Sequence, residues 1–266
     1  MMSSFLEKIK LTIFKTLRKP YKNKLFKDNA TNLELKFLSN LLEQEPLFFI
    51  DVGANKGEFL FTVEKVLAPS KIWAVEPLPY FAKKLKALFP KIKVFNLALS
   101  DREAQTTLYV PINNGISDDS LSSISKPAGN FNSYTINCTT LDNLIENNFI
   151  TNEKIFLKID VEGHEFNLLQ GAEKTIKNSV LVMLIEIEER HHKGKSLKEM
   201  IESIESKGFY CYHLNPQKTE LVRFSAGSDD FQKKEDLNTR KYINNFWFFA
   251  KQFDHISVVS KLNTSM

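Results

Sequence analysis

The chain has 266 residues, enough for one large domain with appendages or two small ones, and long enough to bury a core without disulfide or metal staples. Hydrophobic residues make up 42% and Phe alone numbers 22, which excludes a disordered chain, while no apolar run approaches the ~20 residues that cross a bilayer. Net charge is +4, but eight Lys or Arg fall in the first 27 residues against Glu7 alone; the remainder, with 28 basic and 31 acidic residues, lacks the basic surface that nucleic acid requires.

At the N-terminus, "SSFLEKIKLTIFKTLRKP" sets Phe5, Ile9, Ile13 and Leu17 at helical spacing between lysines and ahead of Pro20. It has neither the long apolar stretch nor the small-residue cleavage site of a signal peptide. Such a helix either rests on an anionic membrane or a partner, or packs on its own domain, and the second use is the commoner. A second helical pattern runs from Thr31 to Leu42, with Leu35, Leu38 and Leu42 on one face. Residues 1–45 are expected to form this basic helical segment, 46–253 the main domain and 254–266 a tail.

The period then changes. "LFFIDV" is a continuous apolar run, the mark of a strand buried on both faces of a parallel sheet, and "EFLFTVEKVL" after it carries a helical stripe. "KIWAVEP" predicts a strand, "YFAKKLKALF" a helix and "KIKVFNLAL" a third strand. "TTLYV" and "YTINC" predict a side hairpin around a polar loop from Pro111 to Ser133, and "TTLDNLIENN" a helix capped by Thr139 or Thr140. "KIFLKID" and "VLVMLIEIE" are further buried strands, separated by a helix over "HEFNLLQGAEKTI". "SLKEMIESIESKG" has a capping box of Ser196 and Glu199, and "FYCYHL" and "FWFFA" close the sheet. This alternation predicts an α/β fold with a doubly wound, mostly parallel sheet. Cys138 and Cys211, far apart and each in a strand-like stretch, are expected as buried thiols in a reducing cytosol.

Ligands in such sheets bind at the carboxyl ends of the strands, where strand order reverses. "DVGANKG" ends the first strand: Gly53 permits a turn and close backbone approach, and Gly57 opens the following helix. The loop has neither the Lys of a phosphate cradle nor the third glycine of a pyrophosphate site, which disfavours a nicotinamide dinucleotide. Asp51 before Gly53 suits a cationic ligand. Glu76 ends the second strand 25 residues later, where an acid accepts from ribose hydroxyls, and Asp101 in "ALSD" could accept from an adenine amino group. Together these three acids match an adenosine with an amino-acid tail, S-adenosylmethionine.

"KIDVEGHE" crowds Asp160, Glu162, His164 and Glu165 behind a fourth strand. Methyl transfer to an alcohol needs a positioned proton acceptor, for which Asp160 is the first candidate and His164 and Glu162 the next; Glu165 is expected to complement a helix dipole. "EIEERHH" puts Glu186 and Glu188 on one face ahead of His191 and His192, but adjacent histidines are not a metal-ligand spacing, and no metal is expected. Ser122 and Ser123 in the long polar loop are candidates for an acceptor lid.

The blocks "FIDVGANKGEF", "VEPLP", "ALSD", "TTLDNLI", "LKIDVEGHE", "LLQGAEKTI" and "LIEIE", in this order over about 47–214, resemble FkbM-type S-adenosylmethionine-dependent methyltransferases. The resemblance implies a class I methyltransferase (Rossmann-like) fold with seven strands, the last antiparallel, here "FWFFA". It implies O-methylation, commonly of a sugar in a bacterial glycan or of a natural product, with Asp51, Gly53, Asn55 and Gly57 on the cofactor loop, Glu76 on the ribose, and Asp160 and Glu162 in the fourth-strand motif. A different reading keeps the cofactor fold without chemistry, as a scaffold subunit held at the cytoplasmic face of a membrane by the N-terminal helix.

Overall fold

The computed structural model describes residues 18, 29–113, 116–117, 122–124, 129–150, 152–192, 194–215, 217–225, 231–237, 239 and 241–265. The amphipathic pattern from Phe5 to Leu17 lies outside them. Arg18, beyond that pattern, pairs with Glu64 and sits over the rings of Phe61 and Phe89.

The first buried run forms β1 (Phe48–Val52) and the alternation continues through α2 (Glu58–Val63), β2 (Ile72–Val75), α3 (Pro79–Leu88) and β3 (Lys93–Phe95). After a side sheet, the chain returns through α4 (Leu141–Asn147), β8 (Ile155–Ile159), α5 (Glu165–Gln170), α6 (Glu173–Asn178) and β9 (Val180–Glu186). It ends with α7 (Leu197–Glu205), β10 (Phe209–Asn215), β11 (Glu220–Arg223), β12 (Asn245–Ala250) and α8 (His255–Thr264); α1 (Asn29–Gln44) precedes β1.

The main sheet has the order β11-β10-β12-β9-β8-β1-β2-β3. Pairs β1–β2, β2–β3, β1–β8 and β8–β9 are parallel, whereas β12 runs antiparallel to both β9 and β10. "FWFFA" is thus an antiparallel strand, but the sheet is mixed and has eight strands rather than the expected seven. The extra one, β11, is a four-residue edge strand, "ELVR", with a charge at each end. An exposed edge needs no apolar face, so its pattern resembles a loop.

Strand alternation sends side chains to two cores. Phe49, Phe156, Trp247 and Phe249 meet Phe37, Leu38 and Leu41 of α1, Phe61 of α2 and Leu262 of α8 on one face. Phe48, Ile50, Val52, Leu157 and Phe248 meet Leu141, Leu168, Leu169, Ile176, Ile201 and Ile204 on the other. Both α1 and α8, outside the expected main domain, therefore cover its core.

The run "KIKVFNLAL" breaks at Asn96, whose side-chain amide donates to the carbonyls of Glu76 (3.0 Å) and Pro77 (2.8 Å). Beyond the break, β4 (Ala98–Leu99) joins a second sheet, β4-β7-β5-β6, with β5 (Ala104–Asn113), β6 (Ile116–Ser117) and β7 (Phe131–Thr139). Its inner residues Leu108, Val110, Ile136 and Cys138 pack on Leu78 and Phe81. Cys138 and Cys211 are both buried free thiols. The single helix expected over "HEFNLLQGAEKTI" is split at Gly171, where a Cβ would lie 1.9 Å from the Ser100 carbonyl oxygen. Thr140 caps α4 by accepting from Asn143 N–H, and the Ser196–Glu199 capping box opens α7. Among the described residues, no helix is long and apolar enough to cross a membrane.

Candidate functional site

Strand order reverses between β1 and β8, so the chain leaves their carboxyl ends in opposite directions and opens a crevice there. Gly53, at φ +75°, packs so closely that a Cβ would lie 1.8 Å from the Asp160 carbonyl oxygen. The N–H groups of Gly53 and Ala54 donate to Val75, and Asp160 N–H donates to Val52 O at 3.1 Å. Asn55 also adopts a left-handed backbone, φ 43°, which directs its N–H to Glu76 Oε2 at 2.8 Å. Leu78 N–H donates to the other oxygen at 2.8 Å. Glu76 is 3% exposed, and burial pushes its pKa up to about 7 against these two hydrogen bonds.

A cavity of about 340 Å³ occupies the crevice. Gly53, Asn55 and Glu76, which follow β1 and β2, line it together with Asp160, Glu162, His164, Glu186, Glu188 and Arg190, which follow β8 or lie at the end of β9 and beyond. Leu97, Leu99, Leu108 and Ile124 supply apolar wall, and Ser122 from the polar loop completes it. Ser123 ties that loop down, donating to Glu162 O at 2.9 Å and exchanging backbone hydrogen bonds with Tyr109. Glu162 needs the anchor: its φ of 51° is uncommon for a residue with a side chain.

Asp51 is not on the wall. It shares the face of Phe49, is 1% exposed, and lies opposite Lys158, whose Nζ is 3.2 Å from Asp51 Oδ1. Asp51, expected to offer its charge to a cationic ligand, faces Lys158 rather than the cavity. Lys158 Nζ also lies 3.3 Å from Asp160 Oδ2 and donates to Gly53 O at 3.1 Å, so one ammonium joins the ends of β1 and β8. Burial opposes its charge, but Asp51 and Asp160 outweigh burial and hold its pKa above the ordinary lysine value. Burial raises the Asp51 pKa, against the pull of Lys158.

Gly57, φ 82°, is also off the wall; it opens α2, and its bare Cα leaves room for Leu85 and Phe89. Asp101 likewise does not line the cavity: its carboxylate accepts from Ser100 Oγ at 2.9 Å and lies 3.5 Å from Arg102. His164 does line it, with Nε2 2.9 Å from the same Ser100 Oγ, and burial lowers its pKa.

The far end is crowded with acids. Burial, then the charges of Asp160 and Glu188, push Glu162 up to about 8. Burial and the same Asp160 charge, joined by Glu162, raise Glu186 well above the ordinary value; Asn244 donates to it at 2.6 Å. Burial acts on Glu188 too, but hydrogen bonding and ion pairing with Arg190 dominate, and its pKa is lowered. The two histidines clasp this loop to the preceding one: His191 Nδ1 is 3.5 Å from Glu162 Oε2, and His192 Nε2 is 2.8 Å from Glu165 Oε2. Glu165 also accepts from Gly163 N–H at 2.9 Å, a role fuller than dipole complementation. Among the described residues, no three His, Cys, Asp or Glu side chains converge as metal ligands.

Sequence reading did not single out Arg190, Ser100, Leu108 or Ile124. The first two sit beside motifs and could have been found by asking what pairs with Glu188 and His164; the other two reach the cavity only through the second sheet.

The arrangement defines an α/β protein with a cavity of cofactor size at the switch point of its sheet. The model of the methyltransferase FkbM domain matches residues 51–211, more than half of the chain, and the chain belongs to that family of methyltransferases. It is also similar to the crystal structure of methyltransferase FkbM from Methylobacillus flagellatus KT, at 15% identity and a TM-score of 0.43, over 76% of this chain and 43% of that one. The chain thus spans less than half the length of that structure's chain. No curated protein matches it.

Proposed function

We propose that this chain moves a methyl group from S-adenosylmethionine to a hydroxyl of a polyhydroxylated acceptor, a sugar of a bacterial glycan or of a glycosylated natural product. The carrying observation is one cavity lined by both a backbone-held acid, Glu76, and an imidazole, His164, whose pKa burial lowers.

The residues fit the cofactor. Each Glu76 oxygen accepts one backbone N–H and keeps a lone pair for a ribose hydroxyl. Asn55 Oδ1, buried in the cavity wall, has no hydrogen-bond partner among the described residues. Gly53, Asn55 and Glu76 would hold the nucleoside side. When bound, S-adenosylmethionine supplies a methyl group on a positively charged sulfur, and an acid-rich cavity favours that charge.

Of the three catalytic candidates, Asp160 is engaged by Lys158. Glu162, near 8, is mostly protonated at neutral pH and serves as a donor. His164, its pKa lowered, keeps a free lone pair and takes the acceptor's hydroxyl proton as the oxygen reacts. Carboxyl groups in both protonation states, with Ser122, suit hydroxyl groups that donate and accept.

Calorimetry with S-adenosylmethionine, followed by transfer of a labelled methyl group to a panel of glycans, tests this. Binding with transfer to hydroxyls, lost in His164→Gln, is expected. Tight binding with no transfer to any hydroxyl would instead support the scaffold reading.

A further inference from the structure

Ser100 meets His164 and Asp101 at once, with 2.9 Å separating its Oγ from His164 Nε2 and 2.9 Å separating it from Asp101 Oδ1. We propose that Ser100, with Asp101 behind it, is a positioning residue that fixes His164 in its Nε2–H tautomer and leaves Nδ1 as the proton-accepting nitrogen. That this nitrogen then serves methyl transfer rests on the function proposed above; the tautomer itself does not.

A serine hydroxyl has one proton to donate, and an ionised carboxylate can only accept. Asp101 is held ionised, its pKa lowered first by the Ser100 hydrogen bond. The Ser100 proton therefore points to Asp101, and the contact to His164 must be filled by a proton on Nε2. The reverse arrangement, with Ser100 donating to the imidazole, would set lone pairs of Ser100 and Asp101 against each other at 2.9 Å. A neutral imidazole with a proton on Nε2 has its lone pair on Nδ1.

Ser100 has little freedom to do otherwise. It is 6% exposed, its N–H is bound to Thr139 O at 2.9 Å, and its carbonyl lies against Gly171, where a Cβ would come within 1.9 Å. Three separate stretches, "ALSD", "EGHE" and "LLQGAE", are brought together by this packing. It also gives Asp101 a role that does not involve the adenine.

The test is histidine NMR on the full chain. The sequence has five histidines, and His164→Gln assigns the wanted signal after labelling with ¹⁵N-histidine. At pH 7.5, two-bond proton–nitrogen correlations are expected to show the Nε2–H form for His164 in the wild type. Ser100→Thr should keep it, and Ser100→Ala should give a mixture of tautomers. A wild-type Nδ1–H form, or an unchanged pattern in Ser100→Ala, overturns the proposal; the wild-type spectrum alone decides this even if a variant fails to fold. Calorimetry with S-adenosylmethionine is the second arm. Asp101→Ala should leave cofactor affinity within about twofold, whereas a loss of tenfold or more returns Asp101 to the nucleoside and overturns its place behind Ser100. A protein that transfers no methyl group yet shows the expected tautomer defeats the functional reading and spares this one.

Discussion

At the β1–β2 end of the cavity, Glu76 is held by backbone N–H groups of Asn55 and Leu78, whereas at the β8–β9 end Glu162, Glu186 and Glu188 are held by the side chains of His191, Asn244 and Arg190. Backbone donors sit where the strand-to-helix turn puts them, so the Glu76 oxygens have fixed partners. Side-chain partners can turn and re-pair. Under the function proposed above, the first end would hold the cofactor and the second the acceptor. Lys158, reaching both Asp51 and Asp160, joins the two through its side chain.

Breaking that span should have the largest effect. Lys158→Met leaves Asp51 buried without its counter-charge and should cost about 3–5 kcal/mol in urea unfolding, with partial recovery in the Asp51→Asn, Lys158→Met double variant. No difference between single and double would mean that the pair does not join the ends. Gly53→Ala comes next: the new Cβ meets the Asp160 carbonyl in a left-handed backbone, for a loss of about 2–4 kcal/mol by the same measurement.

Glu76→Ala addresses the recognition end alone. S-adenosylmethionine affinity should fall about tenfold or more by calorimetry. An affinity equal to wild type would remove the ribose assignment.

A further effect concerns pH. Glu162 and Glu76 bind protons in the folded state up to about 8 and about 7, against an ordinary 4.5. Folding therefore takes up protons above pH 4.5; the stability they contribute is full below that value and is lost as pH rises through 7 and 8. Each group contributes at most about 1.4 kcal/mol per pH unit. Glu162→Gln should flatten this decline. Glu76→Gln should be the poorer exchange, since an amide keeps only one of the two acceptors that the backbone donors use. Equal flattening by the two would erase the contrast between the ends.

Much of this was legible in the sequence because it is local. Buried runs such as "FFIDV" and "KIFLKI" announce parallel strands, and Gly53, Asn55 and Glu76 follow strand ends directly. Asp160, Glu162 and His164 reach the cavity for the same reason. The neighbour of Asp51 is not legible, because strand alternation alone does not say what stands opposite; Lys158 lies 107 residues on and is seen only once β1 and β8 pair. Asp101 follows a strand end as expected, yet Ser100 beside it captures its carboxylate. The short edge strand β11 and the break at Asn96 carry no periodic signal, and Leu108 and Ile124 need the fold of the second sheet.

The burial of Lys158 has a consequence for ionic strength. Mobile ions screen charges that face water and scarcely reach a side chain that is 5% exposed. Added salt should then leave the junction of β1 and β8 intact, so that the unfolding midpoint changes little with ionic strength on its account.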